Sequence, residues 1–209
     1  MRKLAMVLFA LGSLVLMAVP AFAEKGDMAF GVNGGMAMPM GQLADEDYAD
    51  MKMGPDFGIN FDYFITKDMA LGLDGSYAMM TANESDDVKA KTMAFGVHGK
   101  YFVPTGGRFV PYLNLGVGYY NRKVEFEGDA ADFLGVDKLS DNKLGINAGV
   151  GVEYKVTPMV GIGVNGAYVY TIGEWKPEID GEEPDEALLD DWNYISFKGA
   201  VTFYFPMAK

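Results

Sequence analysis

The chain has 209 residues, with 29 acidic against 17 basic side chains, a formal net charge of -12 and no cysteine. Nucleic acid is disfavoured as a partner, because binding it needs a basic footprint, and a small disulfide-stapled scaffold is excluded. One domain is expected at this length.

Met1-Arg2-Lys3 opens the chain, an apolar stretch follows from Leu4 to Val19, and Pro20-Ala21-Phe22-Ala23 has the small-x-small form that a signal peptidase accepts. Residues 1–23 therefore read as a signal peptide cleaved after Ala23, and 24–209 as the mature domain. The stretch is shorter than the ~20 residues that span a bilayer. Removing Arg2 and Lys3 takes two positive charges from -12 and leaves -14. No later apolar run approaches ~18 residues, so membrane helices are excluded and a soluble fold or a β-barrel remains.

From there the dominant signal is alternation with period two, the mark of a strand with two unlike faces. Phe30, Val32 and Met36 alternate with Gly31, Asn33, Gly35 and Ala37. Phe57, Ile59, Phe61, Tyr63 and Ile65 alternate with Gly58, Asn60, Asp62 and Phe64; Met69, Leu71, Leu73, Tyr77 and Met79 with Ala70, Gly72, Asp74, Ser76 and Ala78. Met93, Phe95, Val97, Tyr101 and Val103 oppose Ala94, Gly96, His98, Lys100 and Phe102, and Leu113, Leu115, Val117 and Tyr119 oppose Tyr112, Asn114, Gly116, Gly118 and Tyr120. Leu144 to Val156 sets its apolar positions against Gly145, Asn147, Gly149, Gly151, Glu153 and Lys155. Val160 to Tyr170 does so against Gly161, Gly163, Asn165 and Ala167, and Ile195 to Phe205 against Ser196, Lys198, Ala200, Thr202 and Tyr204. Thr66-Lys67-Asp68, Pro104 to Arg108 and Thr157-Pro158 read as short turns, whereas Pro39 to Lys52, Thr81 to Ala90, Lys123 to Asn142 and Gly173 to Asn193 read as long, acidic loops. Long and short in turn is the order of an up-and-down transmembrane barrel, with short periplasmic turns and long extracellular loops.

Volume decides which face is outside. An eight-stranded barrel is just wide enough inside for its own side chains, and the bulky apolar face cannot fit there. The face rich in Gly, Ala, Asn and Ser lines the lumen, with Phe64, Phe102, Tyr112, Tyr120 and Tyr204 filling gaps. Its ionisable members, Asp62, Asp74, His98, Lys100, Glu153, Lys155 and Lys198, form a polar network in which three acids balance three lysines. On the outward face Tyr63, Tyr101, Tyr154, Phe203 and Phe205 fall toward the short turns and Tyr77, Tyr119, Tyr168 and Tyr170 toward the long loops. Aromatic rings favour the headgroup level at both interfaces.

Gly72-Leu73-Asp74-Gly75-Ser76-Tyr77, Gly96-Val97-His98-Gly99-Lys100-Tyr101, the strand Pro111 to Tyr119 and the aromatic last strand resemble the small outer-membrane β-barrel superfamily, which includes the OmpA transmembrane domain, OmpX and OmpW-like proteins. Those proteins usually end on an aromatic residue, whereas here Pro206-Met207-Ala208-Lys209 follows Phe205. The resemblance implies an all-β, eight-stranded antiparallel barrel in the outer membrane, contact with the lipid bilayer and lipopolysaccharide, and delivery by periplasmic chaperones to the outer-membrane insertion machinery.

Gly161-Ile162-Gly163-Val164-Asn165-Gly166 spells the dinucleotide fingerprint, but strand continues after it where a helix is required, so no cofactor is expected. His98 is the one histidine, and a lone histidine neither builds a transition-metal site nor, facing inward with no serine beside it, a lipid hydrolase. No catalytic site and no bound metal are expected. Glu178, Asp180, Glu182, Glu183, Asp185, Glu186, Asp190 and Asp191 in the last loop, and Asp45, Glu46, Asp47 and Asp50 in the first, could collect divalent cations but read first as solvated loop. Three functions are carried forward: a sealed barrel with a structural or surface-interaction role, a narrow OmpW-like channel for small hydrophobic solutes using loop residues such as Phe133, Leu134, Leu188 and Leu189, and a lipid-modifying enzyme.

Overall fold

A computed structural model describes residues 23–83, 87–126, 138–177 and 187–207. The expected signal peptide up to residue 22, the acidic residues Glu178, Asp180, Glu182, Glu183, Asp185 and Glu186 of the last loop and the loop residues Phe133 and Leu134 lie outside the described residues.

The described residues form β1 (Met28–Met40), a 3-10 turn (Gly41–Leu43), β2 (Met51–Lys52), β3 (Gly54–Phe64), β4 (Met69–Ala82), β5 (Val88–Phe102), β6 (Phe109–Phe126), β7 (Lys138–Thr157), β8 (Val160–Thr171) and β9 (Asn193–Phe205). Each long strand pairs antiparallel with the next, and β1 also pairs with β9 from Met28↔Phe205 to Met40↔Asn193, so eight strands close into a barrel without an edge. Closure satisfies the backbone of every spanning strand, which hydrocarbon cannot do. The two-residue β2 is an addition paired to β4, Met51↔Ala82 and Lys52↔Thr81.

Exposure follows the parity of the sequence. Phe95, Leu115, Val150 and Leu144 are exposed by 61–65%, while Phe64, Phe102 and Tyr204 on the opposite parity are buried. Large exposed apolar side chains recur on all eight barrel strands, a continuous surface far beyond the patches that a water-soluble monomer tolerates. Trp192, Tyr194 and Met80 are buried at the loop end of the lumen, and Phe64, Phe102, Tyr112 and Tyr204 at the turn end.

The strands run further than the hydrophobic pattern alone suggests. β4 and β5 extend into the segment read as loop from Thr81 to Ala90, and β6 and β7 continue to Phe126 and from Lys138. Pairing continues there with polar outward residues, Asn121 opposite Asn142 and Lys123 opposite Ser140, and with Ala90, Val124 and Leu139 packed inward, because these rungs stand clear of hydrocarbon and the pattern of apolar outside and polar inside inverts. Asn121 Nδ2 donates to Asn142 Oδ1 at 2.7 Å.

Glycine is needed where two strands press together. A Cβ on the inward-facing Gly35 would run into the Phe197 carbonyl and stand 2.8 Å from Lys198 Cα, whereas one on Gly99 meets nothing nearer than Leu71 Cδ2 at 3.7 Å. Gly35→Ala is expected to destabilise the barrel by about 1–3 kcal/mol, and Gly99→Ala to be neutral within about 0.5 kcal/mol. Urea unfolding in lipid vesicles, with the heat-modifiable gel shift as the fold check, measures both; equal stabilities would contradict the close approach.

Candidate functional site

The candidate site is the barrel interior. Period-two geometry sends the side chains of Asp56, Asn60 and Asp62 (β3), Asp74 (β4), His98 and Lys100 (β5), Glu153 and Lys155 (β7) and Ser196 and Lys198 (β9) into one lumen. Register does the rest: Asp62 lies opposite Gly72, and Gly72 opposite His98, so a glycine leaves room for carboxylate and imidazole to meet across β4. His98 Nε2 is 2.6 Å from Asp62 Oδ1, and Nδ1 is 2.8 Å from Asp74 Oδ1. Ionised carboxylates only accept, so a ring carrying both protons donates to both. Lys100 Nζ and Asn60 Nδ2 donate to the other Asp62 oxygen at 2.8 and 2.7 Å.

A second cluster lies nearer the turn end. Tyr204 Oη donates to Glu153 Oε1 at 2.6 Å, Lys155 Nζ lies 3.0 Å from the same oxygen, and the lysine sits over the Tyr204 ring. Below it Phe64 stacks on Phe102 with ring centres 5.4 Å apart, and Tyr112 lies 5.6 Å from Phe102. On the other side Lys198 Nζ lies 2.8 Å from Asp56 Oδ1 and Ser196 Oγ donates to Asp56 Oδ2 at 2.6 Å. Between the clusters is a cavity of about 120 Å³, room for several waters.

Two residues central to this arrangement escape the sequence reading. Asp56 stands one position before the second alternating run, and its parity could have assigned it to the lumen. Arg122 stands one position before a segment read as loop. It is buried, donating to Asp141 Oδ2 at 2.5 Å, Thr171 Oγ1 at 3.0 Å and the Glu174 carbonyl at 3.0 Å, with its guanidinium 5.8 Å from the Trp192 ring. Burial pulls the Arg122 guanidinium below its ordinary pKa while the Asp141 carboxylate works against that. Trp192, fully buried, donates from Nε1 to Thr92 Oγ1 at 2.9 Å and packs on Trp175, ring centres 5.5 Å apart.

The first and last loops meet over this end. The Asp190 amide donates to Gln42 Oε1 at 2.6 Å, Gln42 Nε2 to Asp190 Oδ2 at 3.0 Å and the Gln42 amide to Asp191 Oδ1 at 3.2 Å. Gly41 turns toward Asp191 with φ +59°, a conformation that favours glycine. Leu43 and Leu189 are buried beneath, while Leu188 is exposed. Asp45 Oδ1 accepts from the Asp47 amide and Asp50 Oδ1 from Asn83. Among the described residues no three acidic or histidine side chains gather as a metal site. Gly161 to Gly166 lies within β8.

Residues 9–193 match the outer membrane protein beta-barrel domain family. The chain belongs to that family. As an outer-membrane barrel it places its short turns in the periplasm and its long loops outside the cell. No curated protein matches the sequence. Among solved structures the barrel is similar to Neisserial surface protein A (18% identity, TM-score 0.62, covering 86% of this chain and 99% of that one). It is also similar to OprG from Pseudomonas aeruginosa (14%, 0.57, 88% and 98%) and to the N-terminal barrel domain of OprF from Pseudomonas aeruginosa (15%, 0.53, 87% and 98%). Identities this low show the fold alone.

Tyr63, Tyr101, Tyr154, Phe203 and Phe205 stand at the periplasmic ends of their strands, and Tyr77, Tyr119, Tyr168 and Tyr170 toward the outer ends. Tyr63, Tyr101, Tyr119, Tyr168, Phe203 and Phe205 are exposed, and Tyr77 and Tyr154 half-buried, with Tyr154 packed on Phe109 at 4.8 Å. In the lumen, Asp62→Ala strands His98 and Lys100 beside each other and is expected to cost about 3–5 kcal/mol. Asp62→Asn, which keeps acceptor and shape, is expected to cost clearly less. Equilibrium unfolding in vesicles compares them, and an Asp62→Ala barrel as stable as the parent would show that the pair does not hold the interior together.

Proposed function

We propose that this outer-membrane barrel is a sealed anchor: it presents acidic extracellular loops in a structural or surface-interaction role and conducts no solute through its lumen. The observation that carries the reading is the pair of buried side-chain clusters at opposite ends of the interior, Phe64, Phe102, Tyr112 and Tyr204 toward the periplasm and Met80, Tyr120, Trp192 and Tyr194 toward the outside. Between them the charged groups are tied to one another. Asp56 faces Lys198, Asp62 faces Lys100 and His98, Asp74 faces His98, and Glu153 faces Lys155. Paired charges of this kind resist movement, since separating them leaves an uncompensated ion in a confined interior.

In this reading His98 holds two aspartates and performs no catalysis. The polar lumen residues act as interior braces, and the outward aromatics sit at the two headgroup levels. The chain is exported with its first 23 residues removed, and its acidic loops meet solvent and lipopolysaccharide.

The reading contrasts with an OmpW-like channel in one respect that can be measured. Protein reconstituted in planar bilayers, its intact mass starting at Glu24, is expected to give a baseline without steady openings from pH 6 to 8. A large, stable single-channel conductance would overturn the sealed lumen and favour the channel.

A further inference from the structure

Methionine is concentrated at one place in this chain. Five of the twelve methionines that follow residue 23 fall between positions 36 and 53, in Met36-Ala37-Met38-Pro39-Met40 and Met51-Lys52-Met53. Lower on the same two strands the lipid-facing positions are Phe30, Val32, Ile59 and Phe61. Aromatic and β-branched residues are the ones a strand favours, so apolarity alone does not account for the change to unbranched thioethers.

The fold brings these thioethers together. Parity sets Met36 and Met38 on the outward face of β1, about 7 Å apart along the strand. β1 pairs with β3 through Met36↔Pro55 and Ala37↔Gly54, and the next step sets Met38 beside Met53. Met53 reaches that face through a bulge. Lys52 pairs with Thr81, while the β3 register of Asp56 with Ala78, carried three residues back, brings Met53 to the same Thr81. Two residues thus oppose one, and both Lys52 and Met53 are exposed while Met51 is buried. Gly54 permits the close approach: a Cβ there would run into the Met79 carbonyl and stand 3.1 Å from Met80 Cα.

Met36, Met38 and Met53 therefore spring from a triangle with edges of about 5 to 8 Å, one direct and one diagonal cross-strand pair and one pair along β1. Three rotatable bonds in each side chain let the sulfurs turn to a common point. Height makes that point reachable by an ion. Met38 and Met53 stand ten residues from Met28 and Tyr63, which pair at the periplasmic ends of the same strands, and about ten residues carry a tilted strand across the hydrocarbon. The group lies where the apolar band meets water. The connection from Gly41 to Asp50, next to it in sequence, carries Asp45, Glu46, Asp47 and Asp50 and no basic residue, and such a field draws cations.

We infer that Met36, Met38 and Met53 form a three-sulfur site for a soft monovalent metal ion, copper(I) or its chemical analogue silver(I), at the extracellular rim of β1 and β3. Thioether sulfur is a soft ligand that selects copper(I), whereas carboxylates suit calcium and magnesium. The loop acids attract any cation, and the sulfurs decide which one stays. The site is separate from the lumen and is independent of whether the lumen conducts.

The test uses the full mature barrel in zwitterionic micelles, carbon-13 labelled at the methionine methyls. It is titrated with silver(I) in chloride-free buffer and, anaerobically, with copper(I) against a chromogenic copper(I) chelator. One equivalent is expected to bind and to move the methyl resonances of Met36, Met38 and Met53. Those of Met69 and Met159, exposed at the periplasmic end, stay in place, and millimolar calcium does not displace the ion. The triple variant Met36→Leu, Met38→Leu, Met53→Leu conserves volume and apolarity. It is expected to weaken copper(I) affinity by about a hundredfold or more, beyond the loss that a supporting residue causes, whereas Met69→Leu with Met159→Leu leaves it unchanged. Gel mobility without heating confirms folding; if the triple variant fails to fold, Met53→Leu alone must lower the affinity. Absence of binding, undiminished binding by the folded variants, shifts spread over all exposed methionines, or displacement by calcium would overturn the inference, the last by making the acidic loop the site.

Discussion

Hydrocarbon offers no partner to a peptide N–H or C=O, and this structure is organised around that constraint. A strand that crosses a bilayer must find both neighbours within the chain, so the sheet has to return to its beginning. Here the return is the thirteen-residue pairing of β1 with β9. Once the sheet closes, the faces have opposite tasks. The outer one meets lipid and carries Leu, Val, Ile, Phe and Tyr, while the inner one must fit a narrow space and cannot be both bulky and uncharged throughout.

Confinement then explains the chemistry inside. Glycine and alanine make room for a few large or charged side chains, which must satisfy one another because little solvent reaches them. The acids Asp56, Asp62, Asp74 and Glu153 each meet a lysine or His98. His98 joins two strands through Asp62 and Asp74, and Lys198 with Ser196 joins β9 to Asp56 on β3. The links from β5 to β3 and from β9 to β3 each pass over one intervening strand and brace the sheet from within, complementing the backbone ladder around its circumference. At the outer end Arg122 plays the corresponding part, tying β6 to Asp141 on β7, to Thr171 at the end of β8 and to the chain just beyond it.

Much of this was legible before any coordinates, because a barrel strand writes its two faces into alternate residues. Leu113, Leu115 and Val117 against Asn114, Gly116 and Gly118 announce strand, orientation and lumen together, and Phe64, Phe102, Tyr112, Tyr120 and Tyr204 stand out as large residues on the otherwise small face. The signal fails where the solvent changes. Beyond Tyr119 the two faces exchange character, with Asn121 and Lys123 outward and Val124 buried inward, so the segment from Lys123 looks like loop although its backbone still pairs with β7. Asp56 is missed because the alternating run is recognised only from its first large apolar residue, Phe57, one position later. Ion-pair partners are hidden for another reason: Asp62 meets His98 through strand register, 36 positions apart in sequence, and hydrophobic periodicity carries no information about register across a glycine.

The central claim concerns which face touches lipid, and the natural absence of cysteine makes it directly measurable. Single-cysteine variants from Leu113 to Gly118, spin-labelled in bilayers, report collision with oxygen dissolved in hydrocarbon. The account predicts a period-two profile with maxima at 113, 115 and 117 and minima at 114, 116 and 118. A profile of opposite phase, or one without alternation, would contradict it.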